Sequence, residues 1–195
     1  MNKVTEKLLQ MVSDWKGTFD GAYNIREDGE CAGRVSSKNI QIDSKSDGPG
    51  LVIHIRPETK GETVYIPACV THSSVDDLVY NDFYVGAGAD VVIVAGCGVH
   101  VEGEEDARHN GIHRFFLEKG ARVLYKEKHV GIGQGKGLRR IDPVTDVVLA
   151  EDSTLEMDTV QLSGVDRTMR KTSAVLAARA KLIIRESLLT EGEQT

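Results

Sequence analysis

No stretch of this sequence approaches the roughly 18 consecutive apolar residues that a membrane-spanning helix requires, and its mean hydropathy is -0.25. No helix of this chain is expected to cross a bilayer. Cysteine is scarce: Cys31, Cys69 and Cys97 are odd in number and far apart, and no apolar N-terminal segment precedes them. A secreted disulfide framework is thereby set aside, and free thiols in a reducing, cytoplasmic setting are expected. A basic stripe is also missing. The net charge is -6, with acidic and basic residues interspersed, so nucleic acid is not an expected ligand. Proline (4) and aromatics (5%) are few against 20 glycines, which points to many tight turns around a core of small and branched aliphatic side chains.

The 195 residues are enough for one domain with a sizeable core. Val4, Leu8, Met11, Val12 and Trp15 recur at the spacing of an amphipathic helix, with Gly17 as its expected end. Beyond this point short alternating apolar stretches replace helical periodicity, as in Leu51–Ile55 and Thr63–Ile66. The expected division is a helix over 1–16, an N-terminal β segment over 17–50 and a repetitive β core over 51–195.

The core shows an internal repeat. The decapeptides starting at Tyr84, Phe116, Val148 and Val175 are YVGAGADVVI, FLEKGARVLY, VLAEDSTLEM and VLAARAKLII. Their starts recur at intervals of roughly 30 residues, a period typical of stacked repeat architectures. Each carries a small residue (Ala89, Ala121, Ser153, Ala180), then apolar residues of one parity: Val91 and Ile93, Val123 and Tyr125, Leu155 and Met157, Leu182 and Ile184. A weaker copy ends in Val64 and Ile66, one such interval before Val91 and Ile93. Units of this period cannot bury their own apolar face and must stack, which predicts an all-β parallel solenoid. A meandering sandwich is the alternative, but its strands recur at much shorter intervals and without a longer superperiod. The last repeat runs to Thr195 without a polar cap, so an incomplete C-terminal end is expected, with the N-terminal helix a candidate cap for the other.

Four features are candidates for chemistry. Gly131–Gly137 (GIGQGKG) lacks the spacing, the Ser or Thr after lysine and the following helix of a phosphate loop, and is expected to be a flexible loop between coils. The acidic groups Asp76–Asp77, Glu104–Asp106 and Glu151–Asp152 fall in expected turns, where solvated charge is the default. Most informative is Ala95–Glu102 followed by Arg108–His113, which places Cys97, His100, His109 and His113 within one short stretch of chain. Thiol, imidazole and carboxylate together suit a borderline-soft metal, and a thiolate can carry sulfur, although the spacing matches no closed zinc template. Cys97 shares the inward parity of Val91 and Ile93, so its plainer reading is a small core residue. His113 stays open between ligand and satisfied core histidine.

The ordered segments Asp77–Gly86, Ala95–His100, Asn110–Phe116 and Lys119–Ala121, extended by Gly164–Asp166 and Glu186–Thr190, closely resemble short members of the SufB/SufD family. The resemblance implies a right-handed parallel β-helix that pairs with itself or with a SufB- or SufD-type partner and binds SufC, an ABC-type ATPase. It implies a scaffold, not a free-standing enzyme, on which iron-sulfur clusters form from sulfur delivered by a desulfurase system. The Gly-Cys pair matching Gly96–Cys97 is where sulfur enters in the SufB branch, which makes Cys97 the expected sulfur acceptor or relay; this carry-over concerns Cys97 alone, and His100, His109 and His113 are candidates near a metal or cluster on their residue chemistry only. The nascent cluster is expected only in the complete complex and not on this chain alone, because the family's later coils, C-terminal cluster residues and ATPase-gripping helices would lie beyond Thr195. The alternative function is a metal-dependent β-fold enzyme, cupin-like or lyase-like, using Cys97, His100, Glu102, His109 and His113. The His109–His113 spacing departs from the His-x-His of a cupin.

Overall fold

The structure is a computed structural model that describes residues 1–189 and 192–195. Thr190, the end of the Glu186–Thr190 segment, and Glu191 lie outside the described residues. The chain runs through α1 (Lys3–Ser13), β1 (Ala22–Glu27), β2 (Glu30–Val35), β3 (Ile40–Ser44), β4 (Gly50–Ile55), β5 (Lys60–Val70), β6 (Asp76–Val85), β7 (Asp90–His100) and β8 (Ala107–Leu117). It continues through β9 (Arg122–Ile132), β10 (Arg139–Ile141), β11 (Val144–Leu149), β12 (Thr154–Gln161), β13 (Arg167–Thr168), β14 (Lys171–Leu176), β15 (Lys181–Leu188) and β16 (Glu193–Gln194).

From β4 onward the strands alternate between two sheets, and each pairs in parallel with its counterpart one coil away. One sheet has the order β15-β12-β9-β7-β5-β1-β2; the other contains β16-β13-β10-β8-β6-β4-β3, with β11 joining β8 to β14. This is a parallel β-helix of about four turns. Val91, Val123, Leu155 and Leu182 are successive Cα partners, so the repeat spacing read from the sequence is the register of the ladder. Their same-parity neighbours Ile93, Tyr125, Met157 and Ile184 form the next rung. The weaker copy needs a correction. Val64 pairs with Ile93 and Ile66 with Ala95, two residues further along β7 than the repeat interval places them. A one-residue bulge at Gly61 (φ +67°), between the pairs Lys60–Asp90 and Glu62–Val91, sets the ladder so that inward residues meet inward residues.

Each coil turns its corner at the small residue, and Ala89, Ala121 and Ser153 are fully buried there. The residue before each has positive φ (Gly88 69°, Gly120 68°, Asp152 60°, Arg179 58°), and the small residue's N–H closes the turn onto the carbonyl three positions earlier. Ser153 adds a hydroxyl, but its Oγ donates to the Ala150 carbonyl at 2.7 Å, so it is buried without an unmet donor. Across the interior, Phe83 stacks on Phe115 at 4.7 Å between ring centroids, and the edge of Tyr125 meets Phe115 at 5.2 Å. Such pairs contribute about 0.5–1.5 kcal/mol beyond area burial.

The N-terminal helix forms as expected but does not cap the coil end. Its Asn2 side chain accepts from the Thr5 N–H at 2.9 Å, and it stops at Asp14 in left-handed conformation (φ 54°), just short of Gly17. It lies instead on the outer face of the β5-β7-β9 sheet, where Leu8, Leu9 and Val12 pack with Cys69 and Val130. The first coil is covered by antiparallel pairs, β1 with β2 and β3 with β4.

Candidate functional site

Alternation puts every second residue of a strand inside the coil, and in the middle of β7, β8 and β9 the inward residues turn polar. On β9 the apolar Val123 and Tyr125 are followed by Glu127 and His129, all inward and buried. On β7 the corresponding positions are Ala95 and Cys97, which pair with Glu127 and His129 across the ladder. On β8, facing them, the inward series is His109, Gly111, His113. A polar seam therefore crosses the interior between two apolar clusters, one around Phe83, Phe115 and Leu155, the other around Val70, Val99 and Ile141.

The seam is held by two runs of hydrogen bonds. At its first-coil end Arg26 of β1 makes a bidentate contact to Asp77, Nε to Oδ2 at 2.9 Å and Nη2 to Oδ1 at 2.7 Å. Asp77 Oδ2 also accepts from His109 Nδ1 at 3.0 Å. Burial pushes the Asp77 carboxyl up, but the hydrogen bonds from His109 and Arg26 outweigh it and hold it well below the usual carboxylate range. Tyr125 donates its hydroxyl to Glu127 Oε1 at 2.8 Å. Its oxygen lies 3.1 Å from His113 Nδ1, which is therefore the donor of that pair. Arg170 places Nη1 and Nη2 each 3.2 Å from Glu127 Oε2 and its Nε 2.9 Å from Glu186. Burial would raise the Glu127 carboxyl; His129 and Arg170 hold it well below its ordinary value.

Cys97 sits inside this seam. It lines a cavity of about 20 Å³ with His109, His113, Asn81, Asn24 and Arg26, room for about one water. Gly111 makes room for the two imidazoles: a Cβ there would stand 2.9 Å from His113 Nε2 and 3.2 Å from His109 Nε2. Burial, reinforced by Glu127, pushes the Cys97 thiol well above its usual range, and burial brings His113 down to about 4. Both are neutral at neutral pH. Cys97 Sγ, a Glu127 oxygen and a His129 nitrogen all lie within 4.8 Å of one another.

Of the four residues singled out in the sequence, the cavity brings Cys97, His109 and His113 together. His100 is apart, at the end of β7, with Nδ1 at 3.0 Å from the Thr71 carbonyl and Nε2 at 2.9 Å from Glu102. Gly96 and Gly98 admit α1 onto the strand: a Cβ on Gly96 would lie 2.6 Å from Val12 Cβ and one on Gly98 2.7 Å from Leu8 Cδ2. Two expectations change. Asp77 is not a solvated turn residue but a buried member of the seam. The Gly131–Gly137 segment begins as the end of β9, which runs to Ile132, and continues as a packed loop: Gly135 donates to the Val101 carbonyl and Lys136 and Gly137 to Gly103, so these backbone N–H groups are already taken. The sequence reading missed Glu127, His129, Tyr125 and Arg170. Glu127 and His129 carried a signal, since they continue the inward parity of Val123 and Tyr125.

Comparison with known proteins gives no matching family model, no matching curated protein and no matching solved structure.

Proposed function

We propose that this chain is a scaffold subunit of an iron-sulfur cluster assembly complex, resembling SufB and SufD, with Cys97 as its sulfur acceptor or relay. The observation that carries the reading is the placement of the Gly96–Cys97 pair: its thiol opens onto a hydrogen-bonded polar seam inside a parallel β-helix, an unusual interior for a purely structural solenoid. The ordered sequence segments that resemble the family fall on β6, β7 and β8 and on the corner before β9, around the same seam.

In chemical terms the Cys97 thiolate attacks the outer sulfur of a donor persulfide; the donor's S–S bond breaks, its thiolate leaves, and a persulfide remains on Cys97. No net oxidation occurs. The seam supports this by offering histidines beside the thiol, but Cys97 as it rests is protonated by burial and enclosed inside the coil, so transfer requires the interior to open. A SufC-like ATPase is the partner whose work fits that opening, and a second SufB- or SufD-type chain completes the scaffold.

The test is to replace Cys31, Cys69 and Cys97 singly by serine in the complex with the ATPase and the sulfur donor, and to follow cluster formation and melting temperature together. Cys97→Ser is expected to abolish cluster formation while Cys31→Ser and Cys69→Ser retain it. A Cys97→Ser protein that melts lower yet assembles clusters at the parent rate reduces Cys97 to a packing residue.

A further inference from the structure

His129 presents an unsolved problem in the folded chain. It is fully buried, and neither ring nitrogen has a hydrogen-bond partner. An imidazole has one donor and one acceptor, and leaving such groups unmet inside a protein is unfavourable. Glu127 Oε1 lies 3.2 Å from His129 Nε2, but in a direction that makes no hydrogen bond between them. That separation is the edge two ligands make around one ion: bonds of about 2.0–2.2 Å at angles between octahedral and tetrahedral place oxygen and nitrogen roughly 3 Å apart.

We propose that Cys97, Glu127 and His129 form a buried three-ligand site for a single divalent first-row transition ion, zinc or iron(II) being the fitting ones. The backbone supplies the arrangement. Glu127 and His129 are two apart on β9 and both point inward, while Cys97 is the cross-ladder partner of His129 on β7. A thiolate, an imidazole and a carboxylate make a borderline-soft donor set, unsuited to magnesium or calcium. Three protein ligands leave a coordination position open.

The surroundings fit a cation. Arg170 holds Glu127 Oε2 and Tyr125 donates to Oε1, which fixes the carboxylate as outer partners do around metals. On binding, the Cys97 S–H proton, together with any second proton on the His129 ring, leaves to solvent, and metal–sulfur and metal–nitrogen bonds take their place; Glu127 is already ionised, and nothing is oxidised or reduced. The bound ion adds at most one positive charge net, set against Asp77 and Glu186 at the two ends of the seam. The site stands whether or not the chain works in cluster assembly, and its test involves no cluster.

The full 195-residue chain, stripped with a chelator and kept anaerobic, is titrated with cobalt(II) alone. The expected result is one ion per chain, a near-ultraviolet thiolate-to-cobalt band, displacement of that band by zinc, and a rise in melting temperature with zinc. Glu127→Gln and His129→Gln, checked for folding by circular dichroism, are expected to weaken cobalt binding by about tenfold or more and to lose the zinc-induced rise. Cys97→Ala is expected to remove the band, while Cys31→Ala and Cys69→Ala keep it. Absence of a thiolate band in the parent chain overturns the site by itself, even if every variant fails to fold. A band that survives in folded His129→Gln at parent affinity, or that disappears with Cys69 instead of Cys97, also overturns it.

Discussion

His113 shows how one residue ties the polar interior to solution conditions. It is buried in β8, donates to Tyr125 and is brought down to about 4 by burial, against about 6.5 in an unfolded chain. Between these values the unfolded chain takes up a proton that the native imidazole refuses. Stability is therefore undiminished above about pH 6.5 and falls as pH drops toward 4, by roughly 3 kcal/mol from this residue. Asp77 and Glu127, both held low, keep their stabilising charge through that window and lose it only at lower pH. Urea unfolding of the metal-free protein at pH 7, 6, 5 and 4.5 checks this. His113→Asn is expected to be less stable at pH 7 but to show a flatter slope; an unchanged slope would assign the acid sensitivity elsewhere.

At the scale of elements, α1 and β7 are matched through missing side chains. Gly96 and Gly98 lie on the outer parity of β7, and α1 descends far enough that Val12 and Leu8 occupy the space their Cβ atoms would fill. The helix is short and would be marginal alone; its stability comes from this contact and from the burial of Leu8, Leu9 and Val12. Gly96→Ala places a Cβ 2.6 Å from Val12 Cβ and 2.7 Å from the Val12 carbonyl oxygen, and backbone cannot rotate away as a side-chain tip can. The expected loss is on the order of 1–3 kcal/mol. Cys69, buried beneath α1, is expected to react faster with a thiol reagent in this variant, while the exposed Cys31 reacts quickly in both. Equal Cys69 rates in parent and variant would mean that α1 does not lock the strand.

For the whole molecule the governing fact is that a coil cannot bury its own inward face. Coils within the stack hide Ile93, Tyr125 and Met157 almost completely, whereas Ile184, the next rung, is 45% exposed and Leu188 52%. Among the described residues β14 and β15 have no strand paired beyond them, so they present unpaired backbone groups beside apolar side chains, a template for another strand. The 195-residue chain is expected to self-associate through this edge, seen as a concentration-dependent sedimentation coefficient. Ile184→Lys with Leu188→Lys is expected to reduce the association. A monomer that stays monomeric at high concentration, with the parent residues in place, would show that the edge is closed some other way.

The linear pattern determined the stacking, because in a parallel ladder the distance between repeats is the register and alternation is the inward direction: Val91, Val123, Leu155 and Leu182 could be placed in one row without coordinates. The same rule reaches Cys97 and, carried two and four residues past Tyr125, Glu127 and His129. It fails at the weaker copy, where Val64 pairs with Ile93 and not with Val91, and where an element from outside the repeat decides a residue's role, as α1 does for Gly96. Tertiary structure alone decided that Asp77 is buried, since its partners Arg26 and His109 are remote from it in the chain, and that His109 and His113 share a cavity with Cys97 while His100 does not. Those facts depend on distances across the coil between two sheets, and a periodic sequence records only which way a side chain points, not what it meets there.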